Sequence, residues 1–553
     1  MREILERSLA DALNKIGLEP GQAVIEYPAD LARGDYATNA ALTHAKDAGA
    51  PPRELAEKIV GALGEISGVE RIEIAGPGFI NFYLSPQFFA ATIKEANANA
   101  EQWGRSSLLA GRRILVEYTD PNPFKEFHIG HLMSNAIGES VSRLLEGSGA
   151  VLKRANYQGD VGPHVAKAIW QLVKDNVQKI DLPALSLAYA KGNAAYEEDP
   201  QAKGEIDELN KKIYEKSDAA IQKIYEEGRR VSLEHFERLY EMLGTKFDFY
   251  FFESETGPRG TEIVRENPEI FEKSDGATIF RGEKVGLHTR VFITGSGLPT
   301  YEAKDIGLAV MKAEAWPFDI SITVTGNEQK EYFAVVLAAM KELMPDIARK
   351  IEHLTHGMMR LPEGKMSSRT GKIITGESLL EELVERARER AKESRAANPD
   401  ELARDIAVAA IKYQVLKQAS GRNIIFEKER ALSLEGDSGP YLQYAHARAS
   451  AILEKAVEAG VAPKIDEKAA LNEVARLLIR FPDAVAAASD AREPHFLTNF
   501  LLQFASSFNH WYAAEQILDG STSSPHKVAL TAAVRSTLKN GLWLLGIPAP
   551  EKM

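Results

Sequence analysis

The sequence contains no cysteine. Disulfides, thiol nucleophiles and every zinc site built on thiolates are thereby excluded, and neither zinc nor another resident metal is expected. No apolar run approaches the ~20 residues that a membrane span needs. The opening Met1-Arg-Glu-Ile-Leu-Glu-Arg7 also lacks the apolar core of a secretory signal. A cytoplasmic protein with no membrane partner is the expectation. A surplus of positive charge is missing as well: 67 Lys and Arg against 79 Asp and Glu give a net charge of −12. That argues against holding a polyanion through a global field and leaves room for local basic stripes on an acidic body. What remains is ordinary for a globular chain. Its 553 residues are 44% hydrophobic and 26% charged, and at ~100–200 residues per domain they allow three or four folding units.

Four regions differ in texture. Residues 1–105 open on an amphipathic helix, with Ile4, Leu5, Leu9, Leu13 and Ile16 at helical spacing. They close on two short strands around Gly76-Pro-Gly78, the pattern of a small α+β domain. Residues 106–375 alternate strand and helix: an apolar strand at Ile114–Tyr118, a helix from about Gly130, a second strand at Val151–Tyr157, and later strands at Arg290–Thr294 and Asp319–Thr325. This predicts an α/β core, a doubly wound parallel (Rossmann-type) sheet, interrupted by a charged helical insertion at about 165–245. Residues 376–425 read as a helical connection and 426–553 as a helical bundle.

Chemistry concentrates in two segments. Asp120-Pro-Asn-Pro-Phe-Lys-Glu-Phe-His-Ile-Gly-His131 lies where the first strand hands over to a helix. A helix N-terminus offers free N–H groups and a positive dipole end, a natural phosphate site. His128 and His131 add imidazole donors, and Gly130 permits close approach of a nucleotide. On its own, the tetrapeptide is equally a helix that happens to begin with histidines. The second segment, Pro362-Glu-Gly-Lys-Met-Ser-Ser-Arg-Thr-Gly-Lys372, carries two glycines, two serine hydroxyls and three cations. Alone it is a solvated basic loop; beside the first it suits a pyrophosphate leaving group, whose charge cationic donors must meet. Together they point to attack on the α-phosphate of ATP.

His128-Ile-Gly-His131 and Lys365-Met-Ser-Ser-Arg369 resemble the two signatures of class I aminoacyl-tRNA synthetases. Over nearly the whole chain the resemblance is to arginyl-tRNA synthetases. Gly34-Asp-Tyr-Ala-Thr-Asn39 is similar to that family's amino-terminal domain. Gly436-Asp-Ser-Gly-Pro-Tyr-Leu-Gln-Tyr-Ala-His-Ala-Arg448 and Leu545-Gly-Ile-Pro-Ala-Pro-Glu-Lys-Met553 are similar to its anticodon-binding bundle. The resemblance implies activation of L-arginine with ATP and Mg2+, then transfer to the 2′-hydroxyl of the terminal adenosine of tRNA(Arg). It also implies that adenylate formation needs bound tRNA. A monomer is expected.

Carried over residue by residue, the resemblance implies an ATP site of Pro121, His128, Gly130, His131, Glu328, Lys365, Met366, Ser367 and Ser368. It implies an arginine site of Glu117, Asn122, Glu253, Tyr301, Asp305 and Gln329, and tRNA contacts at Asn39, Tyr441, Tyr444 and Arg448. Tyr301 and Asp305 are four apart, on one face if helical. A guanidinium wants planar carboxylate acceptors, so Asp305 and Glu253 are expected to grip it together. Lysine would leave one of them unpaired. The second signature normally ends in lysine and here ends in Arg369; Lys125, three residues before His128, is a candidate to share its role on the phosphates. His164 reads as structural or as close to the tRNA end, and Trp511 as core. The rival readings are a related class I synthetase, a tRNA-holding paralogue without chemistry, and a nucleotidylyltransferase.

Overall fold

A computed structural model of the chain describes residues 1–21, 24–28, 30–362, 375–392 and 394–553. The amino-terminal region is a four-stranded antiparallel sheet of β1 (Ile25–Glu26), β2 (Tyr36–Thr38), β3 (Val69–Ala75) and β4 (Phe79–Leu84), in the order β1-β2-β4-β3. The expected strand pair around Gly76-Pro-Gly78 is β3 and β4, and both glycines take positive φ. Helices Arg2–Lys15 and Pro52–Leu63 cover the sheet with Leu5, Leu9, Leu55 and Ile59.

The central sheet contains β5 (Arg113–Glu117), β6 (Val151–Gln158) and β7 (Phe249–Phe252). After a separate small sheet of β8 (Glu272–Ser274), β9 (Ala277–Phe280) and β10 (Arg290–Ile293), it is completed by β11 (Ile320–Gly326) and β12 (Ile351–His356). Its order is β12-β11-β5-β6-β7, every pair parallel. The chain starts in the middle, winds one way through β6 and β7, and returns to the other side of β5 through β11. The crevice beyond the carboxyl ends of β5 and β11 is therefore the switch point, where such sheets bind ligands. The expected strand at Arg290–Thr294 forms, but as β10 it pairs antiparallel with β9, outside the parallel sheet. Only its last two residues are buried, whereas a strand covered on both faces must be apolar throughout, as β5 is over 114–116.

Helices Pro163–Lys174, Leu182–Glu198, Pro200–Glu215 and Ala219–Met242 bury their own cluster, including Ile169, Leu185, Ile206 and Tyr225. The carboxy-terminal helices, among them Pro399–Leu416, Gly439–Glu458, His495–Ala514 and Ser524–Leu544, share one apolar core with helix Ile129–Gly147 beneath the crevice. The last residues are pinned by Lys412, which donates to the Gly546 carbonyl at 2.8 Å, and by Gln443, which donates to Pro548 at 3.0 Å. A short parallel pair, β13 (Met359–Arg360) with β14 (Ile424–Ile425), ties the core to the helical region. Among the described residues no helix is long and apolar enough to cross a membrane.

Candidate active site

The loop from β5 to helix Ile129–Gly147 is bent tightly. Thr119, Asp120 and Phe124 take φ of 80°, 48° and 67°, left-handed conformations that side chains other than glycine adopt only where the surroundings enforce them. Pro121 is buried within it. His128 caps the helix, and its ring stacks on that of His131 with centroids 3.5 Å apart. The His128 backbone N–H donates to His131 Nδ1 at 3.1 Å. That bond leaves Nε2 of His131 as the N–H donor of a neutral ring. Desolvation and the charge of Lys125 depress His128, while burial, His128 and Lys125 push His131 well below its ordinary value. Two neutral imidazoles at a helix N-terminus are hydrogen-bond donors for phosphate without mutual repulsion. Lys125 is itself lowered, by burial and by Lys167. Gly376 donates to the Phe127 carbonyl at 2.8 Å, and a Cβ on it would stand 2.8 Å from the His128 oxygen. Only glycine lets the chain lie against the histidine turn there. Lys365, Met366, Ser367, Ser368 and Arg369 lie outside the described residues.

Beside the turn lies a cavity of about 500 Å³, lined by all six expected amino-acid contacts, Glu117, Asn122, Glu253, Tyr301, Asp305 and Gln329, and by Glu328. Glu117 comes from the end of β5, Glu328 and Gln329 from the turn after β11, and Tyr301 and Asp305 from the first turns of helix Tyr301–Ala315. The Asn122 Oδ1 accepts from the Gly159 N–H at 3.0 Å. A Cβ on Gly159 would meet Asn122 Oδ1 at 2.4 Å and Glu253 Oε1 at 3.0 Å, so that glycine lets both side chains into the cavity.

The electrostatics divide the cavity acids into two sets. Glu117 pairs with Lys312 at 2.5 Å, and Glu253 pairs with Lys304, all four side chains being buried. Asp305, Asp120 and Glu328 have no cation bonded to them among the described residues. Asp305 accepts from the Tyr332 hydroxyl at 2.5 Å, and Asp120 from the Tyr157 backbone N–H at 2.7 Å. Burial raises the Asp305 carboxyl to about 7, the Tyr332 bond opposing and Glu117 adding to the rise. Burial and Glu117 likewise push Asp120 up. The expected grip by Glu253 is thus altered: its charge already answers Lys304. Asp120, Tyr157, Lys304, Lys312 and Tyr332 line or brace the cavity without having been singled out in the sequence. Asp120 had a visible signal, an acid in the loop after the first strand; the two lysines had none, because their partners are far away in sequence.

Three family models cover most of the chain: "tRNA synthetases class I (R), catalytic domain" over residues 92–428, "DALR anticodon binding domain" over 442–553, and "Arginyl tRNA synthetase N terminal domain" over 3–84. The chain belongs to the arginyl-tRNA synthetase family. It is 32% identical to the arginine–tRNA ligase of Lactobacillus delbrueckii subsp. bulgaricus, with 100% of both chains covered. It is 30% identical to that of Clostridioides difficile, with 99% of each covered. Among solved structures, the arginyl-tRNA synthetase of Thermus thermophilus superposes with a TM-score of 0.82 at 27% identity, covering 100% of both chains.

The segments that resembled the flanks of arginyl-tRNA synthetases hold this molecule together. Asp35 accepts from the Leu84 N–H at 2.9 Å and from Arg476 at 2.7 Å, and the Tyr27 and Tyr36 hydroxyls both donate to Asp483. The amino-terminal sheet is thereby docked on the carboxy-terminal helices. Asn39 stands half-buried before helix Ala40–His44. Tyr441, Tyr444 and Arg448 line a surface hollow of about 370 Å³ with Asn509. The Arg448 guanidinium lies 4.6 Å from the Tyr444 ring and 4.9 Å from that of Tyr512, an exposed aromatic the sequence reading passed over. Trp511 is buried core, as expected. His164 is buried with Nε2 at 2.8 Å from the Gly159 carbonyl, so it braces the rim. On the same rim Asp160 accepts from Tyr225, Arg229 and Ser254.

Proposed function

We propose that the chain is an arginine–tRNA ligase, which joins L-arginine to ATP as arginyl-adenylate and then esterifies the 2′-hydroxyl of the terminal adenosine of tRNA(Arg). One observation carries the reading: a cavity with a carboxylate, Asp305, that no cation meets among the described residues opens at the sheet's switch point beside a stacked pair of neutral histidines. A cationic side chain in that cavity presents its α-carboxylate toward the phosphate turn. Asp305 pairs with the guanidinium, Tyr301 flanks it, and Glu253, held by Lys304, adds a second acidic wall. Lysine is disfavoured, since a planar guanidinium can pair bidentately with the Asp305 carboxylate and an ammonium cannot.

In the first step the arginine carboxylate attacks the α-phosphate and pyrophosphate leaves. His128, Gly130 and His131 receive the phosphates, Glu328 the ribose, and Pro121 shapes the loop. Lys125 shares the phosphate charge with Lys365 and Arg369, Met366, Ser367 and Ser368 completing that segment. Asn122, whose Oδ1 is taken by Gly159, offers its amide N–H groups to the substrate carboxylate, with Gln329 opposite. Glu117 braces Lys312 below. Magnesium arrives with the ATP phosphates, and no protein ligand set is assigned to it. In the second step the 2′-hydroxyl attacks the adenylate carbonyl and AMP leaves.

The division of labour follows: 1–105 meets the tRNA body through Asn39, 106–375 carries the chemistry, 376–425 connects, and 426–553 takes the anticodon on Tyr441, Tyr444 and Arg448. The protein is expected to act as a cytoplasmic monomer. Exchange of labelled pyrophosphate into ATP tests the reading. Arginine, with tRNA(Arg) present, should support it; exchange driven by another amino acid contradicts it.

A further inference from the structure

We infer that Tyr189 is a positioning residue for Lys125, and that the helices between β6 and β7 serve the chemistry by holding that lysine at the histidine turn. The inference rests on the reading of Lys125 as a phosphate-binding cation and assigns the residue that steers it. Lys125 needs steering, because its stem is long and flexible. Among the described residues no carboxylate bonds its ammonium, Glu253 acting on it only through space. What meets the ammonium is the ring of Tyr189, whose centroid lies 5.4 Å away. A ring face attracts a cation through its quadrupole and, unlike an ion pair, leaves its charge intact. The lysine is thereby held while its charge stays available to a phosphate.

The same helices fix where the lysine starts. The Phe124 N–H donates to Ser232 Oγ at 3.1 Å, and the Phe124 ring lies stacked on Tyr225. A Cβ on Gly228 would stand 2.3 Å from that ring, so glycine alone admits it. Tyr225, Gly228 and Ser232 all belong to helix Ala219–Met242, which therefore grips the residue before Lys125 in its left-handed φ of 67°. Helix Leu182–Glu198 supplies the ring. Its Tyr189, Asn193 and Tyr196 fall at i, i+4 and i+7, on one face. Asn193 and Tyr196 take Lys167, which donates to Asn193 Oδ1 at 2.9 Å and lies 4.1 Å from the Tyr196 ring. Lys167 repels Lys125, and this face gives each of the two its own ring. The Lys125 charge reaches both His128 and His131 and depresses each, so the held ammonium stands near the turn that receives the phosphates.

Pyrophosphate exchange with arginine and tRNA(Arg) reads the contact. Tyr189→Leu removes the ring face and should lower kcat about fivefold, the size of one partly desolvated cation–π contact, with the arginine KM within about twofold. Tyr189→Phe keeps the face and should restore the rate. Ring electronics give a readout that a packing role would not move. Trifluorophenylalanine at position 189 has nearly the shape of phenylalanine and a weakened face, so kcat should fall about threefold from the Tyr189→Phe value. In a Lys125→Ala background neither change should matter beyond about twofold. If fluorination leaves kcat unchanged, or Tyr189→Leu costs as much without Lys125 as with it, the ring does not position the lysine. Lys125→Ala that keeps kcat to within about tenfold overturns the reading of Lys125 and this inference with it. Wild-type enzyme that shows no arginine-dependent exchange overturns the ligase reading instead, so the failures are distinct.

Discussion

Asp160 on the rim and Asp305 in the cavity differ sharply in the company they keep. Asp160 is fully buried and saturated: a tyrosine hydroxyl, an arginine, a serine hydroxyl and a backbone N–H all donate to it. Asp305 has one phenol and, among the described residues, no bonded cation, and burial holds its carboxyl at about 7. An acid whose neighbours satisfy it stabilises the fold; an acid left short of a partner in a cavity is set up for a ligand that supplies one. The same contrast separates Asp35, answered by Arg476 at the interdomain seam, from Asp120.

The comparison is sharpened first by alanine. Asp305→Ala should lower arginine-dependent exchange by about a thousandfold or more, roughly 4 kcal/mol, while ATP still protects the protein against heat. Asp160→Ala should instead cost about 3 kcal/mol of stability by stranding Arg229, read as an earlier urea midpoint. If Asp160→Ala lowered arginine affinity with no loss of stability, the distinction would be wrong. Next come the phosphate cations. Lys125→Ala should reduce kcat by more than about tenfold, ~1.4 kcal/mol; a smaller loss than that, set beside Arg369→Ala, removes Lys125 from the chemistry.

Asp305 also dictates a pH response. Arginine requires the ionised acid, so its KM should climb by about tenfold per unit as pH falls below about 7 and level off above it. Stability runs the other way. The folded carboxyl has a higher pKa than its unfolded value of 3.8, so Asp305 destabilises the empty enzyme progressively as pH rises from 4 to about 7. Asp305→Asn should therefore melt later than wild type at pH 8 and at the same temperature near pH 4. The smallest effect is at the far end: Tyr444→Ala should raise the KM for tRNA(Arg) about tenfold through one lost stacking contact, with the arginine KM unmoved.

Much of this was legible in the residues. The opening of the sheet was readable because an apolar strand, a tight loop and a helix follow one another without interruption, and Glu117, Asn122, Tyr301, Asp305 and Gln329 do line one cavity. β12 was not, since Ile351-Glu-His-Leu-Thr-His356 sits at the sheet edge and carries polar residues an interior strand would reject. β10 was readable as a strand, though its sheet was not: four residues with only two buried fit either kind of pairing. Hidden entirely was the charge pairing. Lys304 is adjacent to Asp305 in sequence yet pairs with Glu253, which lies 51 positions away, and Lys312 reaches back to Glu117 across the sheet. The Asp35-Tyr36 motif carried a family resemblance, but its docking onto Arg476 and Asp483 needed the fold.

The central claim, that the cavity acids hold arginine's side chain against ATP at the histidine turn, is tested most directly by labelled pyrophosphate exchange. The assay compares wild type and Asp305→Ala over the standard amino acids, each with tRNA(Arg) added. Arginine should drive exchange in the wild type, lysine should not, and Asp305→Ala should leave arginine no better than lysine. Robust exchange with lysine, or an Asp305→Ala enzyme that still activates arginine at the wild-type rate, would contradict it.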